Sequence, residues 1–497
     1  MTANASTIST PTSEEGVQVV ANYVGGAWKE STSTTFFDVV DPSSGRMAAV
    51  VPDSTQAEVD EAVAAAASAL PGWRATPATA RAEFILRYRM EVERRIDDIV
   101  AAISRDAGKA TADARAEVLR SISALDNALS LPMTLRGHIV EQVATSVDTE
   151  MVRQPVGVCA MISPFNFPMF SSVAQQSTAL VCGNTLIWKP SEQTPLANQV
   201  LFDIIDSLGL PPGVWNLVNG GRDVVNMLID APEVAAISSV SSAPAARAIY
   251  ARAAGRGKRV QALGGAKNHM VVMPDAVIDG TATQIVQSGF GFAGQRCMAG
   301  SVIVAVGDAW ARVKPEVVKR AAALNLGAAA KPDTDLGPVI SAASLQRIST
   351  AIGHAAEEGA TIAVDGRDPH VDEAGYFLAP TIVEDVTSDM AIATEELFGP
   401  VLAVIEVADL DEAIALINAS EYGNGTTIFT ESGAAVRKFR AEVEVGMIGV
   451  NVGVAAPAAM FPFSGWKSSL CGDIPIQAES GVDFFTRRKV VTTRWLS

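Results

Sequence analysis

The chain has 497 residues, 48% hydrophobic and 19% charged, which describes a folded, enzyme-sized protein with material for two or three domains and excludes a disordered one. A formal net charge of −17 argues against a nucleic-acid surface, since phosphate recognition needs clustered Lys and Arg, and any anionic substrate must find its cations locally. The four cysteines, Cys159, Cys182, Cys297 and Cys471, lie far apart with no CxxC pair and no adjacent histidine, so neither a metal site nor a disulfide framework is indicated and a reducing cytoplasm is expected.

Met1 to Gly16 is polar and acidic, without a basic n-region or apolar core, and is predicted to be a disordered leader. No run of about 18 apolar residues occurs, so no membrane span is expected. Tyr23 to Trp28 reads as a hairpin around Gly25-Gly26, and Phe36 to Val40 as a strand before the turn Asp41 to Gly45. Thr55 with Glu58 fits a capping box ahead of an alanine-rich helix that Pro71-Gly72 should end. Thr79 to Ile103 carries Phe84, Tyr88, Val92, Ile96, Ile99 and Ile103 at helical spacing, which predicts one core-facing helix stopped by Gly108. Another helix is predicted from Asp113 to Leu129.

Between His138 and Val152 the pattern turns polar and strand-like, an excursion from the main body. Strands at Val156 to Ile162, Thr185 to Trp188, Val214 to Val218, Val234 to Val240 and Val260 to Leu263 then alternate with helices, the pattern of a doubly wound parallel sheet. Such a sheet can hold a dinucleotide, although the GxGxxG fingerprint is absent. A second α/β unit, from about Gly265 to Gly465, contains predicted strands at His269 to Met273, Val302 to Val306, Val401 to Val407 and Thr426 to Phe429, and a helix at Leu410 to Asn418. Val482 to Arg494 reads as a strand that pairs with the 139–152 excursion or with another subunit.

Gly289 to Ser301, GFGFAGQRCMAGS, concentrates small residues around Cys297 and opens the second unit, so this cysteine is expected in the cleft between domains. Alone it is more often a small buried hydrophobe, as most free cysteines are. It is, however, one of five ordered motifs: Ile162 to Pro168 (ISPFNFP), Trp188 to Glu192 (WKPSE), Gly294 to Cys297 (GQRC), Glu396 to Pro400 (ELFGP) and Pro462-Phe463. Together they resemble the aldehyde dehydrogenase superfamily over nearly the whole chain after the leader.

The resemblance implies an α/β, aldehyde-dehydrogenase-like fold: a Rossmann-type dinucleotide-binding domain at 17–138 and 153–263, a second α/β catalytic domain at 264–470, and a small β oligomerisation extension from 139–152 and 471–497 that builds a homodimer or homotetramer. It implies Cys297 as the nucleophile toward an aldehyde carbonyl, giving a thiohemiacetal and then a thioester. Asn166 would join the Cys297 backbone N–H in an oxyanion hole; its ordinary alternative is a turn residue before Phe167-Pro168. NAD would lie on Ile162, Pro164 and Phe165, with Lys189 and Glu192 on the adenosine ribose, Ser242 at the pyrophosphate turn, and Glu396 with Phe398 at the nicotinamide ribose. Glu192 should repel a 2′-phosphate, favouring NAD over NADP. The pyrophosphate turn departs from the family pattern: Ser239-Val240-Ser241-Ser242 stands where an aromatic-x-Gly-Ser is usual. Glu396 could equally be an ordinary surface acid.

A second departure bears on the acyl acceptor. In Gln261 to Asn268 (QALGGAKN) the position that carries a water-activating glutamate in hydrolytic members of the superfamily is Leu263, and none of the histidines adjoins a motif. Water attack without a general base forfeits about 10²–10⁴ in rate, whereas a thiol manages with less help. Gly264 to His269, Met273 to Ala276, Tyr422 to Thr426 and Val445 to Val452 likewise resemble the CoA-acylating methylmalonate-semialdehyde dehydrogenases. That resemblance implies coenzyme A as acceptor, loss of CO₂, acetyl-CoA or propionyl-CoA as product, and arginines on the substrate carboxylate. Arg120 is the first candidate, its alternative being a solvated helix-face charge, and Arg296 the second. Met169 to Gln176 and Gly453 to Ala459 depart from the apolar and proline-rich runs of that group, so the aldehyde entrance is expected to be remodelled. The competing readings are a hydrolytic aldehyde dehydrogenase releasing free acid and an inactive NAD-binding relative.

Overall fold

In the computed structural model, which describes residues 17–496, the apolar runs of the first half become strands buried on both faces, as parallel strands covered by helices must be. They form an eight-stranded sheet in the order Leu470–Cys471, Arg259–Leu263, Val234–Val240, Val158–Ile162, Thr185–Lys189, Trp215–Leu217, Asn22–Val24, Ala27–Lys29. The five middle strands from Arg259–Leu263 to Trp215–Leu217 are parallel. From Val158–Ile162 the chain builds outward through Thr185–Lys189 and Trp215–Leu217, then returns to add Val234–Val240 on the other side. The crevice outside the carboxyl ends at such a reversal is where open parallel sheets bind ligands. Register places Ile162 beside both Lys189 and Ser239 there, and Val240 beside Leu263.

Gly264 to Lys267 carries the chain to a seven-stranded sheet ordered Thr361–Val364, Thr381–Glu384, Val401–Val407, Gly300–Val306, Asn268–Val272, Gly425–Phe429, Met447–Val450, antiparallel only at its first pair. The linker leaves the carboxyl edge of one sheet and enters the amino edge of the other. Those two edges therefore face a common cleft. A third sheet pairs Thr486–Arg494 antiparallel with Val147–Pro155, which in turn pairs with His138–Ala144. The tail thus meets the excursion within one chain.

Three expectations need correction. The first helix, Gln56–Ala75, keeps its Thr55–Glu58 capping box but runs through Pro71; the proline is exposed, and buried Trp73 holds the last turn by donating to Leu180 O at 3.0 Å. The predicted single helix from Thr79 is two, Ala78–Arg94 and Ile96–Ala107, broken at Arg95 (φ −103°, ψ 24°). The apolar stripe continues across the break, so periodicity does not reveal it. Finally, Ala478–Phe485 is a helix, and strand begins only at Thr486. Val482, Phe484 and Phe485 enter the core shared with Phe170–Val181, and Arg259 closes the helix by donating to the carbonyls of Asp483, Phe484 and Thr486 at 2.9, 2.6 and 2.7 Å. The Met1 to Gly16 leader lies outside the described residues. Among the described residues no helix is long and apolar enough to cross a membrane.

Candidate active site

Cys297 sits between the helix Ile278–Phe290 and the strand Gly300–Val306. The connecting turn is strained in the way functional loops often are, with Phe292 and Ala293 both left-handed at φ 51° and 50°. Phe292 N donates to Asp113 at 2.9 Å. Gly294 (φ 68°) lies so close to Gly399 that a Cβ would collide with its carbonyl oxygen, which locks the cysteine loop to the Glu396 to Pro400 motif. Asn268 and Asn424, at the amino ends of neighbouring strands, donate to the Cys297 carbonyl at 2.8 and 2.9 Å. Neither asparagine was singled out from the sequence, although both lie in stretches shared with the semialdehyde group.

Half-buried Cys297 packs against the apolar cluster of Leu263, Met298, Met447, Phe463 and Ile476. Burial pushes its thiol up to about 11; the Glu396 carboxylate pushes the same way, while the guanidinium groups of Arg120 and Arg296 pull down. Leu263, 4% exposed, belongs to the sulfur's own apolar wall.

Asn166 is buried and its side-chain amide donates to Gln295 O at 2.9 Å, two residues before the sulfur. An amide nitrogen has two N–H groups, so one can hold the loop while the other serves a ligand. The predicted cofactor residues gather at the sheet crevice. Ser163 N donates to Lys189 O at 3.2 Å and Trp188 Nε1 to Ser163 Oγ at 2.9 Å, tying the two motifs together. Pro164 follows Ile162 out of the strand, and Phe165 meets Phe398 edge-on at 5.8 Å across the cleft. Lys189 Nζ lies 3.2 Å from Glu192; burial works to raise the Glu192 carboxyl, but the Lys189 charge and local hydrogen bonds hold it below the ordinary value.

Ser242 begins the helix Ala243–Gly255 without a side-chain cap bond, and the hydroxyls of Ser239 and Ser241 are buried with no hydrogen-bond partner among the described residues. The uncapped amides at the start of this helix suit a pyrophosphate, so the crevice fits a dinucleotide despite the altered turn, while the two buried hydroxyls are closed off from it. Glu396 accepts from Ala266 N at 3.0 Å, and a Cβ on Gly265 would lie 2.6 Å from its other oxygen. Burial raises its carboxyl to about 7, against the pull of the Ala266 N–H, Lys267 and Arg347.

Arg120, on the helix Thr111–Leu129, is not a solvated charge. It lies 4.8 Å over the Phe170 ring and donates to Pro457 O at 3.2 Å, in the loop expected at the aldehyde entrance. Arg296 turns away to the end of the helix Ile278–Phe290, donating to the carbonyls of Gln287 and, at 2.8 Å, Ser288. The polar residues after Met169 are only partly satisfied within their own helix, since both amide atoms of buried Gln176 have no hydrogen-bond partner among the described residues. The hydroxyls of Ser171, Ser172, Ser177 and Thr178 bond back to carbonyls of Phe167, Met169 and Ala174.

Residues 28–491 match the Aldehyde dehydrogenase family. The chain belongs to that family. As an aldehyde dehydrogenase family member it is 43% identical over 474 residues to the malonate-semialdehyde dehydrogenase of Halalkalibacterium halodurans, covering 95% of this chain and 98% of that one. The mitochondrial, acylating methylmalonate-semialdehyde dehydrogenase of Arabidopsis thaliana is 43% identical over 480 residues, covering 96% of this chain and 79% of the other. A Sinorhizobium meliloti crystal structure complexed with NAD superimposes with a TM-score of 0.96 at 36% identity, covering 97% and 99% of the two chains.

Proposed function

We propose that this aldehyde dehydrogenase is NAD-dependent and CoA-acylating, and that it oxidises malonate- or methylmalonate-semialdehyde-type aldehydes through a thioester on Cys297. The observation that carries the reading is Leu263: the wall beside the sulfur is apolar where a hydrolytic enzyme needs a general base. The names of the similar malonate- and methylmalonate-semialdehyde dehydrogenases agree with it.

Cys297 sulfur attacks the aldehyde carbon, and the second Asn166 N–H and the Cys297 N–H meet the alkoxide that forms. Arg120 holds the substrate carboxylate against Phe170; Arg296 contributes field to the sulfur and turns one terminal nitrogen to the helix end, its buried Nε having no partner among the described residues. Ile162, Pro164, Phe165, Lys189, Glu192, Ser242, Glu396 and Phe398 hold NAD, which when bound supplies the hydride acceptor. The thioester then loses CO₂ by cleavage of the bond to the carboxylate carbon, and the oxyanion hole steadies the resulting enolate until it is protonated. The thiol of coenzyme A attacks the remaining acyl group, its S–C bond forming as that to Cys297 breaks. The product is acetyl-CoA or propionyl-CoA.

The domains divide at residues 17–138 with 153–263 for cofactor and 264–470 for catalysis. Of the 139–152 and 471–497 segments, the strands within His138–Pro155 and Thr486–Arg494 are those through which a homodimer or homotetramer forms in a reducing cytoplasm, while Cys471 and Ala478–Phe485 belong to the cofactor sheet and its core. NADH formation from malonate semialdehyde, methylmalonate semialdehyde and propanal, with and without coenzyme A, tests the chemistry. The expected result is a burst near one NADH per site that stalls without coenzyme A and resumes on its addition. Steady turnover to free acid without coenzyme A would replace this reading with the hydrolytic one.

A further inference from the structure

Gly108 ends the helix Ile96–Ala107 in the left-handed conformation (φ 66°), and the next residue turns into the protein. Lys109 is 1% exposed. Its ammonium donates to the Asn166 backbone carbonyl at 2.7 Å, pairs with buried Glu117, and lies over the rings of Phe167 at 4.0 Å and Phe292 at 4.2 Å. The other Glu117 oxygen accepts from Met169 N at 3.0 Å and Phe170 N at 3.1 Å, the open amides where the helix Phe170–Val181 begins. Apart from Met169, the partners of the pair belong to the site: Asn166 and Phe167 on the loop after the cofactor sheet, Phe292 on the cysteine loop, and Phe170 beneath Arg120.

Stability does not account for a buried lysine and glutamate here, because well-packed apolar residues of similar volume often serve a core as well or better. Position does. The ammonium bridges two loops that grow from different sheets, and it does so beside the side-chain amide of Asn166, which also spans them to reach Gln295 O. We infer that Lys109 and Glu117 are positioning residues that set the Asn166 amide against the Cys297 loop, so that the rate of acyl-enzyme formation depends on a buried ion pair which touches no substrate. The inference rests on the roles proposed above for Asn166 and Cys297.

The test is the stopped-flow NADH burst from malonate semialdehyde with saturating NAD and no coenzyme A. It is run on the full-length enzyme and on Lys109→Met, Lys109→Arg, Glu117→Gln, Asn166→Ala and the double variant Lys109→Met with Asn166→Ala. Loss of the pair should slow the burst by roughly 10- to 100-fold, the cost of misplacing a reacting group by about 1 Å, with KM for the aldehyde nearly unchanged. Lys109→Arg, which keeps a donor, should recover part of the rate. In the double variant the Lys109 substitution should add little, because its effect passes through the missing amide. A wild-type burst rate in Lys109→Met, or full multiplication of the two single effects, overturns the inference. Should Lys109→Met fail to fold, Glu117→Gln carries the same two criteria, since it keeps an acceptor for the Met169 and Phe170 amides. A wild-type enzyme without any burst overturns instead the acyl-enzyme reading on which the inference stands.

Discussion

Burial pushes the Cys297 thiol up to about 11, which favours its protonated form at neutral pH in the ligand-free site. After burial, the two strongest opposing influences are charges that can be separated by substitution. Glu396 raises the Cys297 thiol, so Glu396→Gln should lower it and speed alkylation of Cys297 by iodoacetamide at pH 8; unchanged alkylation would mean that the carboxylate does not act on the sulfur. Arg120 pulls the thiol down, so Arg120→Ala should slow the same alkylation. It should also raise KM for semialdehydes that carry a carboxylate by roughly 10- to 100-fold, the worth of a charge-assisted hydrogen bond, while leaving propanal nearly untouched. Equal effects on both aldehydes would show that Arg120 does not bind carboxylate. In the ligand-free protein the alkylation rate should keep rising with pH through about 11, and a plateau by pH 8 would contradict the burial of the sulfur.

At the scale of elements the site is a meeting of edges: carboxyl ends of one sheet, amino ends of the other, and a cysteine loop clamped between Asn166 and Gly399. Gly294→Ala tests the clamp. The left-handed φ and the collision with Gly399 O should together cost roughly 1–3 kcal/mol of stability and nearly abolish the burst, read by thermal unfolding and NADH formation. A variant with normal melting and normal burst would show that the loops need no such contact. Much of this architecture was legible in the sequence. Val234 to Val240 and Val401 to Val407 were read to the residue because a parallel strand buried on both faces is an unbroken apolar run bounded by turns. What escaped depended on partners distant in sequence. Pro71 stays helical because Trp73 is anchored to Leu180, the tail helix exists because Phe484 and Phe485 find the core beside Phe170–Val181, and Lys109 looks like any lysine after a helix-ending glycine until Asn166, Phe167 and Phe292 close over it.

Taken as a whole molecule, the chain holds its catalytic groups within itself but leaves one sheet unfinished. His138–Ala144 is exposed along its entire length, with Ile139, Val140 and Val143 each more than half accessible, and it is the edge of the three-stranded sheet. Native proteins rarely leave an apolar edge open, because its unpaired N–H and C=O groups recruit another chain. The tail strand beside Val147–Pro155 adds exposed Val490, and Trp495 follows it, extending the same apolar surface. A second copy of this chain is the occupant that the proposed homodimer or homotetramer requires. Light scattering on the wild-type enzyme should therefore give a dimer or tetramer, and Ile139→Glu with Val143→Glu should give a smaller species, because charges on a buried edge have no partners there. Since Cys297, Asn166 and Glu396 belong to one chain, the smaller species should still form its acyl-enzyme at first turnover. A wild-type monomer, or a charged variant of unchanged mass, would remove this sheet from the interface.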